Sequence, residues 1–224
     1  MTKGRICEVF ESVQGEGIYL GERQIFVRFF GCNLSCSFCD TKLDKFTEFD
    51  LHELLAELKL YNDHYHSISF TGGEPLLQKD FLKEVLKLTR VEGFKNYLET
   101  NGTLFAELND VIDYLDFVAM DLKLPSSCGM GNLWWMHRKF LEIASKKEVF
   151  LKSVICRSTT EEDLREAVKL INEVNKSAIL VLQPNFHEFD AALKEKMENF
   201  KQICNEGKIT TIIIPQMHKV VGIK

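Results

Sequence analysis

The sequence predicts an α/β fold: a partial barrel of six βα units, (βα)6, on a parallel sheet, with an extra strand at the N-terminal edge. Short runs rich in β-branched and aromatic residues alternate with helix-length amphipathic segments almost to the end of the chain, which is the signature of βαβ units. Polar motifs follow the C-terminal ends of nearly all the strands, on the rim where parallel α/β folds assemble their sites. Six units fall short of the eight that close a full barrel, so the barrel is expected to be open.

Taken in order, strands are expected over residues 24–30, 67–70, 96–99, 117–120, 149–155, 178–182 and 210–214. Helices are expected over 50–60, 78–91, 106–113, 133–145, 161–174 and 191–205. Residues 5–10 are expected to add the edge strand ahead of the first parallel one. Two helix starts are marked by a capping oxygen three residues before a glutamate, in Asp50-Leu51-His52-Glu53 and in Thr159-Thr160-Glu161-Glu162. No linker, repeat or low-complexity stretch interrupts the pattern, so residues 1–224 are expected to form one domain.

Composition narrows the function classes. Hydrophobic residues at 45% and charged residues at 27% are ordinary for a globular protein. Net charge is −5, with acidic and basic residues interspersed, so neither nucleic acid nor an anionic membrane is an expected partner. No apolar run approaches the ~20 residues of a membrane span, and Met1 to Ile6 lack the apolar core of a signal peptide. A cytoplasmic location is expected, and clustered thiols among seven cysteines suit such a reducing compartment.

Chemistry concentrates just after the first parallel strand. Cys32, Cys36 and Cys39 stand at a three-then-two spacing that lets three soft thiolates converge on zinc or iron–sulfur. Structural zinc is closed by four protein ligands, usually two paired knuckles, and no second CxxC occurs. A [4Fe–4S] cluster normally takes four cysteines, so three leave one iron open to a ligand that is not protein. Cys7, Cys128, Cys156 and Cys204 are scattered singly.

Further motifs fall on the same rim. Gly72-Gly73-Glu74-Pro75 follows the second strand; its glycines permit close backbone approach, and Glu74 is able to accept a hydrogen bond from an ammonium. It reads equally as a strand-to-helix turn, as Thr100-Asn101-Gly102 does after the third strand. Asp121-Leu122-Lys123 sets charge on the rim, and Gln183-Pro184-Asn185-Phe186 offers backbone and amide groups. Arg28 shares a strand face with Phe26 and Phe30; a buried arginine requires an anion, either a substrate carboxylate or an internal salt bridge. Trp134, Trp135 and His137 read as core or dimer packing. No role is assigned to the glycine-rich stretch from Cys128 to Asn132.

CxxxCxxC followed by Gly-Gly-Glu-Pro resembles the radical S-adenosylmethionine (SAM) superfamily. Within it, Glu11-Ser12-Val13-Gln14-Gly15-Glu16-Gly17, Val27-Arg28-Phe29-Phe30-Gly31-Cys32, Cys39-Asp40-Thr41, Lys123-Leu124-Pro125-Ser126-Ser127 and Pro215-Gln216-Met217-His218-Lys219 resemble the 7-carboxy-7-deazaguanine synthases of queuosine and related deazapurine biosynthesis. Among these, Gln14 to Gly17 is the most specific. The resemblance implies the partial radical SAM barrel. It also implies a [4Fe–4S] cluster on Cys32, Cys36 and Cys39 whose open iron binds SAM, and a lyase reaction from 6-carboxy-5,6,7,8-tetrahydropterin to 7-carboxy-7-deazaguanine plus ammonia.

Residue by residue, it implies SAM contacts at Phe38, Cys39, Asp40, Gly73, Glu74, Thr100, Asp121, Leu122, Lys123, Gln183, Pro184, Asn185 and Phe186. Substrate contacts are implied at Val13, Gln14, Gly15, Arg28, Thr71, His218 and the C-terminal Lys224, with Thr41 sharing a magnesium ion (Mg²⁺) with the substrate carboxylate. A homodimer and an electron donor of flavodoxin or ferredoxin type are the further expectations. Two alternatives stand beside this reading. One is a glycyl-radical activating enzyme of the same superfamily, acting on a large protein; the other is a zinc-stabilised binding module.

Overall fold

A computed structural model of the chain describes residues 3–41, 44–61 and 64–223. In chain order these carry β1 (Gly4–Val13), β2 (Arg23–Phe29), β3 (Thr47–Phe49), α1 (Leu51–Leu58), β4 (Ser67–Gly72), α2 (Lys79–Val91), β5 (Asn96–Thr100), α3 (Phe105–Val111), β6 (Phe117–Asp121) and α4 (Pro125–Cys128). There follow α5 (Trp134–Ala144), β7 (Glu148–Ile155), α6 (Glu161–Val174), β8 (Leu180–Pro184), α7 (Ala191–Glu206), β9 (Thr211–Ile213) and α8 (Met217–Val221). The strands form one sheet in the order β3-β1-β2-β4-β5-β6-β7-β8-β9. Every pairing from β2 to β9 is parallel, and β1 runs antiparallel to both β2 and β3.

The expected parallel α/β architecture is therefore present, with one correction at its N-terminal side. β1 is not the edge, because β3 pairs outside it through Gly4 to Ile6. Thr47-Glu48-Phe49 is too short to display a period of two, so nothing in the sequence marks it as a strand. The sixth parallel strand begins two residues later than expected, because residues 175–178 form a turn closed by Ala178 N donating to Asn175 O at 3.0 Å.

Local chemistry explains the helix starts. Asp50 caps α1, accepting from His52 N at 2.8 Å and Glu53 N at 2.9 Å, while the Glu53 carboxylate accepts from Asp50 N at 2.7 Å. At α6 the cap is Thr160, which accepts from Asp163 N, and not Thr159. The Thr159 hydroxyl instead accepts from Cys156 N at 2.8 Å and closes the preceding turn.

Alternation along the strands builds the core and positions the site. On one sheet face Ile25, Val27, Phe29, Ile68, Phe70, Leu98, Val118, Met120, Leu151, Leu180 and Leu182 pack beneath the helices. Burying each such side chain contributes about 1.5–3 kcal/mol. The other face is apolar at its base, where Tyr97, Phe117, Ala119, Phe150 and Val181 pack with Tyr19. Two residues further along the same strands, that face turns polar: Phe26 gives way to Arg28, Tyr97 to Glu99, Ala119 to Asp121, Phe150 to Lys152 and Val181 to Gln183. Parallel register sets Arg28 beside Thr71 and Asp121 beside Lys152, so these polar residues share one rim.

Candidate active site

A cleft of about 570 Å³ opens over that rim, within the size range of small-ligand sites. The cysteine loop follows β2 and lines one wall with Cys32, Cys36, Phe38 and Cys39. Two side-chain bonds from Asn33 anchor its start: Asn101 Nδ2 donates to Asn33 Oδ1 at 2.8 Å, and Asn33 Nδ2 donates to Thr103 Oγ1 at 3.0 Å. The later half docks on α4, where Ser37 N donates to Cys128 O at 2.9 Å. The cysteine sulfurs do not already converge: among the described residues no three His, Cys, Asp or Glu side chains stand in metal-holding geometry. Cys36 is hydrogen-bonded to Cys128, and Cys32 Sγ accepts from Leu34 N at 3.5 Å.

The Gly-Gly-Glu-Pro turn divides its roles. Gly72 has φ of +121°, and a Cβ there would lie 2.4 Å from Phe29 O and 2.5 Å from Phe29 N, so only glycine lets the ends of β2 and β4 meet. Gly72 and Gly73 line the cleft. Glu74 is fully buried behind them and does not line it. Its carboxylate accepts from Leu76 N at 3.1 Å, Asn101 N at 2.8 Å and the Thr100 hydroxyl at 2.9 Å. Burial raises the Glu74 carboxyl to about 7 in spite of these donors. The expected ammonium contact through its side chain is corrected to a brace joining β4 to β5.

Other expected SAM residues separate in the same way. Thr100, Asp121, Lys123, Gln183 and Asn185 line the cleft. Lys123 pairs with Asp121 at 2.7 Å and lies 5.1 Å from the Phe38 ring centroid. Leu122 and Pro184 are buried without reaching the cleft, and Phe186 lies outside it, beneath the Lys219 ammonium.

Charge gathers on the floor. Lys152 pairs with Glu16 at 2.5 Å and stands 3.7 Å from Asp121. Burial opposes charge on both partners. Even so, the Lys152 ammonium and hydrogen bonds from Lys152 and Gln216 hold the Glu16 carboxyl at about 2, while Glu16, Asp121 and Glu99 push Lys152 well above the lysine range. Glu99 lies on the same floor and accepts from Gln14 Nε2 at 2.8 Å and Thr71 Oγ1 at 2.8 Å. Sequence reading assigned no role to Glu16, Glu99 or Lys152. Their signal is a charged residue two positions beyond a buried apolar one near a strand's C-terminal end, or inside the quoted Gln14 to Gly17 motif.

Among the expected substrate residues, Val13, Gln14, Gly15, Arg28, Thr71 and His218 all line the cleft. Gln14 is corrected in one respect. Its two amide hydrogens go to Glu99 and to Gln24 Oε1 at 3.0 Å, so its side chain orients Glu99 and has no donor left for a ring. Arg28 Nε donates to Glu8 Oε1 at 2.7 Å, the internal salt bridge, while the residue still faces the cleft. His218 packs on Gly15, and Met217 N donates to Gly15 O at 3.0 Å. Lys219 pairs with Asp40, and Thr41 lines the cleft beside it. Lys224 lies outside the described residues. His137 is buried, and burial lowers it to about 4; Trp135 is 62% exposed.

The residues suit the implied groups. Three thiols on one loop are soft donors for iron, and two of them, Cys32 and Cys39, are exposed. Gln183 Oε1 and Asp121 Oδ1 are buried with no hydrogen-bond partner, on residues that line the cleft, and such acceptors suit donor groups of a bound ligand.

Known proteins share the sequence pattern and the fold. The model of the radical SAM superfamily matches residues 26–195. The chain is 37% identical to a 7-carboxy-7-deazaguanine synthase of Geobacter sulfurreducens over 96% of each chain. It is 34% identical to one of Archaeoglobus fulgidus over 99% of this chain and 100% of the relative. Among solved structures, QueE from Escherichia coli shares the fold with a TM-score of 0.65 at 21% identity, covering 94% of this chain and 93% of that one. A domain of a pyruvate-formate lyase-activating enzyme from Bacteroides vulgatus also shares it, with a TM-score of 0.56 at 18% identity over 66% of this chain and 98% of that one. The chain belongs to the 7-carboxy-7-deazaguanine synthase family of the radical SAM superfamily.

Proposed function

We propose that the protein converts 6-carboxy-5,6,7,8-tetrahydropterin to 7-carboxy-7-deazaguanine with release of ammonia, with Cys32, Cys36 and Cys39 holding a [4Fe–4S] cluster. The observation that carries this reading is the cleft itself. It joins the cysteine loop to Arg28, Thr71, Glu99 and the C-terminal His218 in one small-molecule-sized space. So many polar groups on one floor suit a small polar substrate.

When bound, the cluster and SAM supply one-electron chemistry that ends in hydrogen-atom abstraction. The chain's residues place the partners. Gly72 and Gly73 offer backbone to the methionine end of SAM, Lys123 and Asn185 offer polar groups to its remainder, and Phe38 offers a ring face. Arg28 faces the substrate carboxylate while Glu8 holds the guanidinium in place, and Glu99 accepts from ring N–H groups of the pterin. Thr41, beside Asp40 on the cleft wall, would offer a hydroxyl to a magnesium ion bound with the substrate.

Residues 1–224 act as one domain, and the chain pairs as a homodimer through the exposed Trp135, whose ring packs edge-on against Phe105 at 5.2 Å. A flavodoxin- or ferredoxin-type donor supplies electrons. No helix among the described residues is long and apolar enough to cross a membrane, which fits a cytoplasmic enzyme.

The test is anaerobic reconstitution with iron and sulfide, then incubation with the carboxy-pterin, SAM and a reductant, read by chromatography and ammonia release. A deazapurine product with about four irons per chain is the expected result. SAM cleavage without that product would remove the substrate assignment, and stoichiometric zinc in colourless protein would remove the cluster.

A further inference from the structure

The stretch from Cys128 to Asn132, to which sequence reading assigned no role, forms the seat of the cysteine loop. Cys128 ends α4 and is fully buried. Gly129 follows in the left-handed region at φ of +70°, which turns the chain so that the last carbonyls of α4 face the loop. Ser37 N donates to Cys128 O at 2.9 Å and Ser37 Oγ to Ser127 O at 3.0 Å, while Ser35 Oγ lies 3.8 Å from Met130 Sδ. These contacts flank Cys36 on both sides and hold it against α4. The thiols of Cys36 and Cys128 are hydrogen-bonded to each other, whereas Cys32 and Cys39 are exposed. Cys36 is thus the one of the three proposed cluster ligands whose sulfur is engaged by another thiol.

We propose that Cys36 and Cys128 form a reversible disulfide in the cluster-free protein, a latch that withholds one cluster ligand until a thiol reductant opens it. The inference rests on the reading of Cys36 as a cluster ligand. A thiolate of the pair attacks a small-molecule disulfide such as oxidised glutathione. The resulting mixed disulfide is displaced by the second thiol, so one protein S–S bond forms, one glutathione S–S bond breaks and two reduced thiols leave. Reduced glutathione in excess runs the exchange backward. The hydrogen bond from Ser37 N to Cys128 O brings the two backbones close together, as a disulfide between neighbouring residues requires. Once Cys36 binds iron its sulfur is no longer available, so the latch belongs to the cluster-free chain alone.

The full-length cluster-free protein is equilibrated without oxygen in glutathione buffers from reduced to oxidised, quenched in acid, alkylated and peptide-mapped. Each sample is then reconstituted without added thiol, and bound iron is measured. A peptide linking Cys36 to Cys128 is expected to appear as the buffer becomes oxidising and to vanish when it is reducing, with iron uptake lost in proportion to linkage. Cys128→Ser is expected to leave Cys36 open to alkylation and iron uptake indifferent to the buffer. Cys36 linked to Cys32 or Cys39 instead, or fully alkylated in the most oxidising buffer, overturns the latch in the wild-type protein whatever the variant does. Fully reduced protein that takes up no iron overturns the cluster assignment itself, and the latch with it.

Discussion

Glu16 and Lys152 stand 136 positions apart in the chain, yet their carboxylate and ammonium meet at 2.5 Å on the floor of the cleft, each with about 15% of its side chain exposed. A buried pair of this kind adds little over an apolar pair, but breaking it strands a charge. Lys152→Met is therefore expected to cost about 3–5 kcal/mol in urea unfolding, and Glu16→Gln in the same chain to restore most of it. An unchanged midpoint for Lys152→Met would mean that the pair does not hold the floor together.

Glu99 is the acceptor on which Gln14 Nε2 and Thr71 Oγ1 both converge at 2.8 Å. Glu99→Gln keeps the volume but replaces one acceptor oxygen with a donor, so one of the two partners must turn away. Product formation is expected to fall about a hundredfold, the order reached when reacting groups are displaced by an ångström. Reductive cleavage of SAM should persist, since the hydrogen bonds Glu99 accepts come from Gln14, Ser69 and Thr71 and not from the cysteine loop. Loss of both activities together would place Glu99 in cofactor binding instead.

How much of this was legible follows from which signals are local. Alternation and rim motifs reveal β2 and β4 to β9 because each strand carries its own apolar period, and Asp50 and Glu53 announce α1 in four residues. β3 is invisible because three residues contain no period, and its partner Gly4 to Ile6 is chosen by the sheet. The cysteine spacing is likewise a local signal. The placing of Glu74 is not: whether its carboxylate faces the cleft or the Thr100 hydroxyl depends on how β4 and β5 register. The partner of the Gln14 side chain is hidden for the same reason, since the Glu99 it orients is 85 positions away.

Glu74 also gives a pH signature. Its carboxyl rises from an ordinary 4.5 to about 7 on folding, so the folded state holds the proton more tightly than the unfolded one. The corresponding stability is full below about pH 4.5, falls as pH rises towards 7 and is level above it. A shift of this size corresponds to about 3 kcal/mol. Glu74→Gln is expected to flatten stability over that window, measured by urea unfolding at a series of pH values. A slope of the same size in Glu74→Gln would assign the dependence to another group.

The C-terminal segment closes the cleft through Gly15. A Cβ on Gly15 would lie 2.5 Å from His218 Nδ1 and 2.7 Å from His218 Cβ, too close for both to keep their positions. Gly15→Ala therefore pushes α8 outward, which breaks the bond from Met217 N to Gly15 O and the 2.8 Å bond from Gln216 Nε2 to Glu16. Overpacking of this order costs about 1–3 kcal/mol, but these contacts close a wall of the cleft and not the core, so the larger effect is expected in KM for the pterin. His218→Gly removes both the ring and the Cβ that collide. In the doubly substituted chain the KM penalty of Gly15→Ala is expected to shrink, giving a coupling energy of about 0.5–3 kcal/mol between the two positions. Additive penalties would show that the small residue at position 15 serves the turn around Gly17, and that the terminal helix closes the cleft by other contacts.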